Sequence, residues 1–263
     1  MIIRTPFERA AIRARRISAR IRYRNRPELR DLLLESDRVE RAVERLVGER
    51  SNCIDVGCHL GSMLSLLTRL APEGKHMAFE PIPQKAEWLR GKFPEVEVKQ
   101  VALGETSGKI TFFESLTRSG FSGLRGTGDP QDEVNEIVVD CERLDQYMKE
   151  GHPIAFIKLD IEGAEFLVLR GAVELIRRDH PSLLFESAPG GVERFGQTRR
   201  EFFAFLTEEL GYSIFLAEDF LTGRGRLDWD RFDDAHNYPF KALNLLSAHL
   251  GMNFSEFPGR LNR

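Results

Sequence analysis

The sequence predicts an α/β protein built on a doubly wound, seven-stranded sheet, with an inserted β-hairpin and an N-terminal helical extension. Three observations predict it. From Cys53 onward, short apolar runs of strand length alternate with longer amphipathic runs of helix length. The first of these strands ends in a glycine-bearing turn, Asp55 to Gly61, that opens into a helix. Acidic residues then close successive strands: Asp55, Glu80, Asp160 and Glu186. Strand-end acids of a parallel sheet point into the crevice where ligands bind.

Before that core lies a different kind of chain. Phe7, Ala11, Ala14, Ile17 and Ile21 recur at helical spacing, with Arg9, Arg13, Arg16 and Arg20 on another face, which predicts a basic amphipathic helix. Residues 1–30 carry ten arginines against Glu8 and Glu28, a net +8, while the remainder holds −11. Such a segment suits an anionic surface, membrane or nucleic acid, but its narrow apolar stripe favours packing on the acidic body or on a second subunit of a homo-oligomer. Pro27 with Leu29, Leu32 and Leu33 predicts a short second helix. Asp37 and Glu40 resemble a capping box that opens a third through Val39, Val43, Leu46 and Val47. Residues 1–50 are therefore read as an extension and 51–263 as the domain.

Within the domain, strand 1 is Cys53 to Val56, followed by a helix through Leu64, Leu67 and Leu70. Strand 2 is His76 to Phe79, followed by a helix carrying Ala86, Trp88, Leu89 and Phe93, and strand 3 is Val96 to Val101. The alternation then breaks: 109–114 and 136–140 read as paired strands around a connection with Gly120, Gly123, Gly126 and Gly128, a candidate lid. Strand 4 is Ile154 to Leu159, with a helix from Phe166 to Ile176. Strand 5 is Ser182 to Phe185, a helix spans Arg200 to Leu210, strand 6 is Tyr212 to Ala217, and Leu243 to Ala248 is the last strand, after a polar loop.

Composition limits the function classes. The 263 residues, 41% hydrophobic, suffice for one large core. No run approaches the ~20 apolar residues of a membrane span, and the arginine-rich start does not suit a signal peptide. Cys53, Cys58 and Cys141 lack metal-type spacing and read as reduced thiols, so a cytoplasmic protein is expected. An overall charge of −3 gives no reason to expect a nucleic-acid partner.

The turn after strand 1 lacks the dinucleotide pattern G-x-G-x-x-G, because position 59 is His. Its D-x-G-x-x-x-G resembles instead motif I of class I S-adenosylmethionine (SAM) methyltransferases. Glu80, 25 residues beyond Asp55, is placed to accept hydrogen bonds from both hydroxyls of a ribose. IDVGCHLG, HMAFEPIP, VKQVALGETSGKITFF, IVVDCERLDQY, IAFIKLDIEGAEFLVLRGAVELI and PSLLFE, in that order over about residues 50–190, resemble the FkbM family of SAM-dependent methyltransferases. The K-x-D-x-E-G-x-E block at Lys158 to Glu165 is its most specific mark; His59 departs from the asparagine frequent in the family.

The resemblance implies a class I methyltransferase, Rossmann-like fold with SAM as cofactor. It implies a pocket of Asp55, Gly57, Cys58, His59 and Gly61 around the methionine part, Glu80 at the ribose, and Val101 and Ala102 along the adenine. Asp160 would face the transferring methyl, with Glu162 and Glu186 as further catalytic candidates. The expected reaction is O-methylation of a sugar or other small hydroxylated metabolite or glycan. The base stays open among Asp160, Glu162, Glu165, Glu186, His59 and His236. A divalent ion on the acids has no histidine-rich ligand set behind it, and no metal is expected. Two alternatives stand beside the enzyme: a SAM-fold scaffold recruited through its basic arm, and a nucleotide-dependent oxidoreductase.

Overall fold

The computed structural model describes residues 27–126, 128–237 and 243–249, the first seven of them as backbone, together with Phe7, Ala14, Ser18 and Arg22. The rest of the basic segment, and Tyr238, lie outside the described residues.

Among the described residues, ten strands form two sheets. β1 (Asn52–Val56), β2 (Met77–Phe79), β3 (Glu97–Lys99), β7 (Ile154–Leu159), β8 (Ser182–Glu186), β9 (Tyr212–Leu216) and β10 (Asn244–His249) make the main one, in the order β3-β2-β1-β7-β8-β10-β9. The first five are parallel; β10 runs antiparallel between β8 and β9. This is the doubly wound seven-stranded sheet expected. Strand order reverses at β1 and β7, so the crevice between their carboxyl ends is where a ligand has room. Successive side chains of a strand face opposite ways. Cys53, Phe156 and Leu184 pack under α1 (Pro27–Leu46) and α2 (Ser62–Leu70). Ile54, Ile157 and Phe185 pack with α4 (Glu165–Arg170) and α6 (Arg199–Ala204) on the other side. Helix α3 (Pro83–Lys92) buries Ala86 and Leu89 beside α2's Leu64.

Four local readings are corrected. The two helices read from Pro27 and from Asp37 are one 20-residue helix, α1. A capping pair marks where a helix can start, and nothing between Pro27 and Leu46 stops one already begun. Strand 3, read as Val96 to Val101, is only β3 in the main sheet, and the residues just after it form an unforeseen strand, β4 (Ala102–Leu103), which pairs in parallel with β6 (Val134–Glu142). β6 pairs antiparallel with β5 (Gly108–Ser115), so the predicted hairpin forms with β4 a separate three-stranded sheet. The helix through Phe166 and Ile176 is broken into α4 and α5 (Val173–Asp179) at Gly171, where a Cβ would fall 2.0 Å from the Gly104 carbonyl oxygen. Finally, the segment read as a polar loop contains α7 (Ala217–Thr222) and α8 (Trp229–Ala235). Asp228 caps α8 by accepting from the Arg231 N–H at 2.9 Å, and Arg231 reaches back to buried Asp219 at 2.6 Å.

Helix α1 is tied to the far side of the sheet. Glu35 Oε1 accepts the backbone N–H groups of Leu243 and Asn244 at 2.7 and 2.8 Å, satisfying the entrance to β10. No helix of the described residues is long and apolar enough to cross a membrane.

Candidate active site

The crevice opens at the carboxyl ends of β1, β2 and β7. A cleft lies there, partly open to solvent. Gly57 and His59 line it from the turn after β1, Glu80 and Lys85 from the end of β2 and α3. Val101, Ala102 and Leu103 form a largely apolar wall with Phe112 of β5, and Asp160 and Ile161 stand after β7.

Gly57 has φ +73, and a Cβ on it would lie 2.0 Å from the Asp160 carbonyl oxygen. The two strand ends therefore come together only around a glycine. Glu80 is buried and joins two turns. Its Oε2 accepts the His59 N–H at 3.0 Å and its Oε1 the Ile82 N–H at 3.1 Å. Burial pushes its carboxyl up to about 7, against the pull of Lys85 and these two N–H groups. Sequence reasoning missed the bond to His59, since nothing in the sequence shows that the second strand's acid meets the first strand's turn.

Three expected cofactor contacts do not line the cleft. Asp55 is fully buried beneath the turn, with the Lys158 ammonium 3.3 Å from its Oδ1. Cys58 is buried, its Sγ donating to the Asp55 carbonyl at 2.9 Å. Gly61 heads α2 and packs against Phe93. These residues support the turn from below, which a strand-turn-helix motif cannot distinguish from contact with a ligand. Gly57, His59, Glu80 and Ala102 do line it.

The candidate acids come together. Asp160, Glu162 and Glu186 each present a carboxylate oxygen, all within 4.8 Å of one another. Burial, then the neighbouring Asp160 and Glu162, pushes Glu186 up to about 9. Glu162 is raised to about 7 by burial and Asp160, with Arg194 opposing. Glu165 is different: it is buried at the start of α4, and its Oε1 accepts from the N–H groups of Ile161 and Gly163 at 2.9 and 3.4 Å, as a first-turn acid does. His236 is equally occupied, buried between Ser187 Oγ at 2.7 Å and the Phe232 carbonyl at 2.8 Å. The trio is compact enough to bridge a divalent ion, but acidic groups cluster without one and nothing else here points to a metal.

His59 and Glu162, neither a glycine, have φ of +50 and +58. Each such residue costs on the order of 1–3 kcal/mol, and such strain collects at functional sites. They stand at the two sides of the crevice.

The connection from β5 to β6 closes over the cleft. Ser119, Gly120, Ser122, Gly123 and Leu124 line it. His59 Nε2 lies 2.9 Å from Ser119 Oγ, and Lys85 Nζ donates to the Ser119 carbonyl at 2.7 Å. Farther along, Arg194 donates to the Gly126 carbonyl at 2.6 Å.

A search of curated proteins gives no match. Among solved structures, the chain is similar to a methyltransferase FkbM from Methylobacillus flagellatus KT, at 17% identity and TM-score 0.46 over 77% of this chain and 44% of that one. It is also similar to a TehB-like SAM-dependent methyltransferase from Corynebacterium glutamicum (12%, TM-score 0.43, 89% and 96% covered). A third is an O-methyltransferase from Bacillus cereus in complex with SAH, S-adenosylhomocysteine (11%, TM-score 0.42, 82% and 79% covered). The chain thus spans less than half the length of the first of these, and likenesses at this level bear on neither substrate nor mechanism. The family match is firmer: the methyltransferase FkbM domain covers residues 55–214, from the first strand-end acid to the penultimate strand of the main sheet. With more than half of its length matched, the chain belongs to the FkbM family of SAM-dependent methyltransferases.

Proposed function

We propose that this chain transfers a methyl group from SAM to a hydroxyl oxygen of a sugar or other small hydroxylated metabolite. The observation that carries the reading is Asp160, which lines the cleft together with Glu80 and gathers the carboxylates of Glu162 and Glu186 beside it. The residues suit the cofactor: Glu80 offers an anionic acceptor for ribose hydroxyls, and Val101, Ala102 and Leu103 offer an apolar wall for a base. When bound, SAM supplies a methyl on a positively charged sulfur, a good electrophile that needs no further activation. What remains is to place the acceptor in line and to remove its proton.

Asp160 is the acid we assign to proton removal. Its side chain is 47% exposed and lines the cleft, so an acceptor can reach it. Glu186, pushed up to about 9, holds its own proton at neutral pH and can donate a hydrogen bond toward Asp160 or the acceptor. A placed base is worth typically ~10²–10⁴-fold in rate, and positioning contributes the larger share. Ser119, Gly120 and Leu124 roof the cleft, so the roof limits access of bulk water to the transfer site.

Calorimetry with SAM and SAH tests the cofactor half, and absence of binding at millimolar ligand overturns the proposal. Transfer of labelled methyl to a panel of sugars and polyols tests the rest. A protein that binds SAM yet labels nothing is a scaffold instead, the alternative that its basic arm invites.

A further inference from the structure

Lys158 has a role that neither the fold nor the cofactor requires by itself. It lies in the middle of the main sheet on β7, with its side chain only 9% exposed. A lysine so placed must find partners for its ammonium, and those it finds come from both sides of the crevice. Nζ donates to the Gly57 carbonyl at 2.9 Å and lies 3.4 Å from the Val56 carbonyl, the last residues of β1 and its turn. It stands 3.3 Å from Asp55 Oδ1 and 3.3 Å from Asp160 Oδ2. Asp55 is fully buried and Asp160 is half-exposed at the mouth.

The surroundings give this contact a direction. Facing Lys158 and Asp160 are Asp55 and Cys58 from β1 and its turn, Glu162 after β7, Glu165 on α4 and Glu186 at the end of β8. Arg194 answers Glu162, and His59 faces Asp160 from across the cleft. Burial pulls Lys158 down, but the carboxylates of Asp55 and Asp160 outweigh it and the net direction is up. The ammonium is thus a cation among acids, donating to the Val56 and Gly57 carbonyls and paired with the carboxylates of Asp55 and Asp160.

We infer that Lys158 is a positioning residue that locks the Gly57 turn and the Asp160 carboxylate into one register, so that the cofactor's place and the acceptor's base are set by the same side chain. The binding half stands on the Gly57 contact alone; the catalytic half rests on the reading of Asp160 as base.

The test is a set of variants in the full chain. Lys158→Met alone leaves Asp55 buried without its cation and is expected to fold poorly, so Lys158→Met is made in an Asp55→Asn background and compared with Asp55→Asn. SAH affinity by calorimetry is expected to fall about tenfold or more, the worth of a hydrogen bond from a charged donor. Asp160→Asn, which leaves the Gly57 contact in place, is expected to bind SAH within about threefold of wild type. Equal SAH affinity in the Lys158→Met, Asp55→Asn protein and in Asp55→Asn overturns the inference.

Turnover with any acceptor found in the methyl-transfer panel supplies the second reading. If Lys158 acts through Asp160, the loss in kcat on Lys158→Met is large with Asp160 present and shrinks toward none with Asn there. A role in folding alone gives the same loss in both backgrounds and overturns the catalytic half. If instead Asp160→Asn keeps full turnover, the base assignment of Asp160 fails, and the SAH comparison still decides the place of Lys158 at the turn.

Discussion

Glu80 Oε2 accepts the backbone N–H of His59 at 3.0 Å, so the acid that closes β2 also holds the turn that follows β1. Glu80→Ala therefore removes a turn contact together with the proposed ribose acceptor. SAH affinity is expected to fall about ten- to hundredfold by calorimetry, roughly 1.5–3 kcal/mol. Glu165→Ala, which strips N–H partners in the α4 turn, lowers stability instead. The carboxyl of Glu80 sits at about 7 in the folded protein, and the ionised form is the better acceptor for two hydroxyls. SAH binding should weaken as pH falls below about 7, and Glu80→Gln should remove that dependence; a dependence that survives the substitution sinks the ribose assignment.

Ser119 is held from below by both His59 and Lys85, which makes it the fastening of the roof. Ser119→Ala keeps the Lys85 bond to the carbonyl and loses the one to His59. Stopped-flow dissociation of SAH is expected to speed up severalfold. Urea unfolding should shift by no more than about 0.5 kcal/mol, as is usual for surface positions. Identical dissociation rates would show that the roof is not a barrier to release.

Glu186 titrates far above its ordinary value, from 4.5 to about 9. A carboxyl raised on folding stabilises the protein fully below its unfolded value, and that contribution is lost as pH rises through the folded one. The protein should lose stability between about pH 5 and 9. Glu186→Gln, which mimics the protonated acid, should lose less, opening a gap of up to roughly 3 kcal/mol at pH 9 relative to pH 6. Urea unfolding at both values checks this, and a gap independent of pH would contradict it.

Much of this was legible in the sequence because it is local. The strand-turn-helix at Asp55 to Gly61, the acids at strand ends and the carboxylate trio follow from the alternation of apolar runs and from the rule that parallel strands share a carboxyl edge. What escaped depends on residues distant in sequence. Ala102 and Leu103 leave the main sheet because β6, over thirty residues later, offers them a partner. The break at Gly171 is set by the carbonyl of Gly104. The α7–α8 segment looked like loop because its order comes from Asp219 and Arg231, twelve apart and invisible to any helical or strand period. Asp55 matched the pattern of a cofactor contact, yet Lys158, a hundred residues on, draws it beneath the turn.

The small sheet has a consequence for how the two ends of the crevice communicate. β4 supplies the apolar wall at Ala102 and Leu103 and is hydrogen-bonded to β6, the strand on which the roof segment returns. Floor and roof are therefore on different footings: the floor belongs to the rigid seven-stranded sheet, while wall and roof ride on a common plank of three strands. A displacement of the roof would reach the Ala102–Leu103 wall through the hydrogen bonds of β5 and β6 rather than through the main sheet.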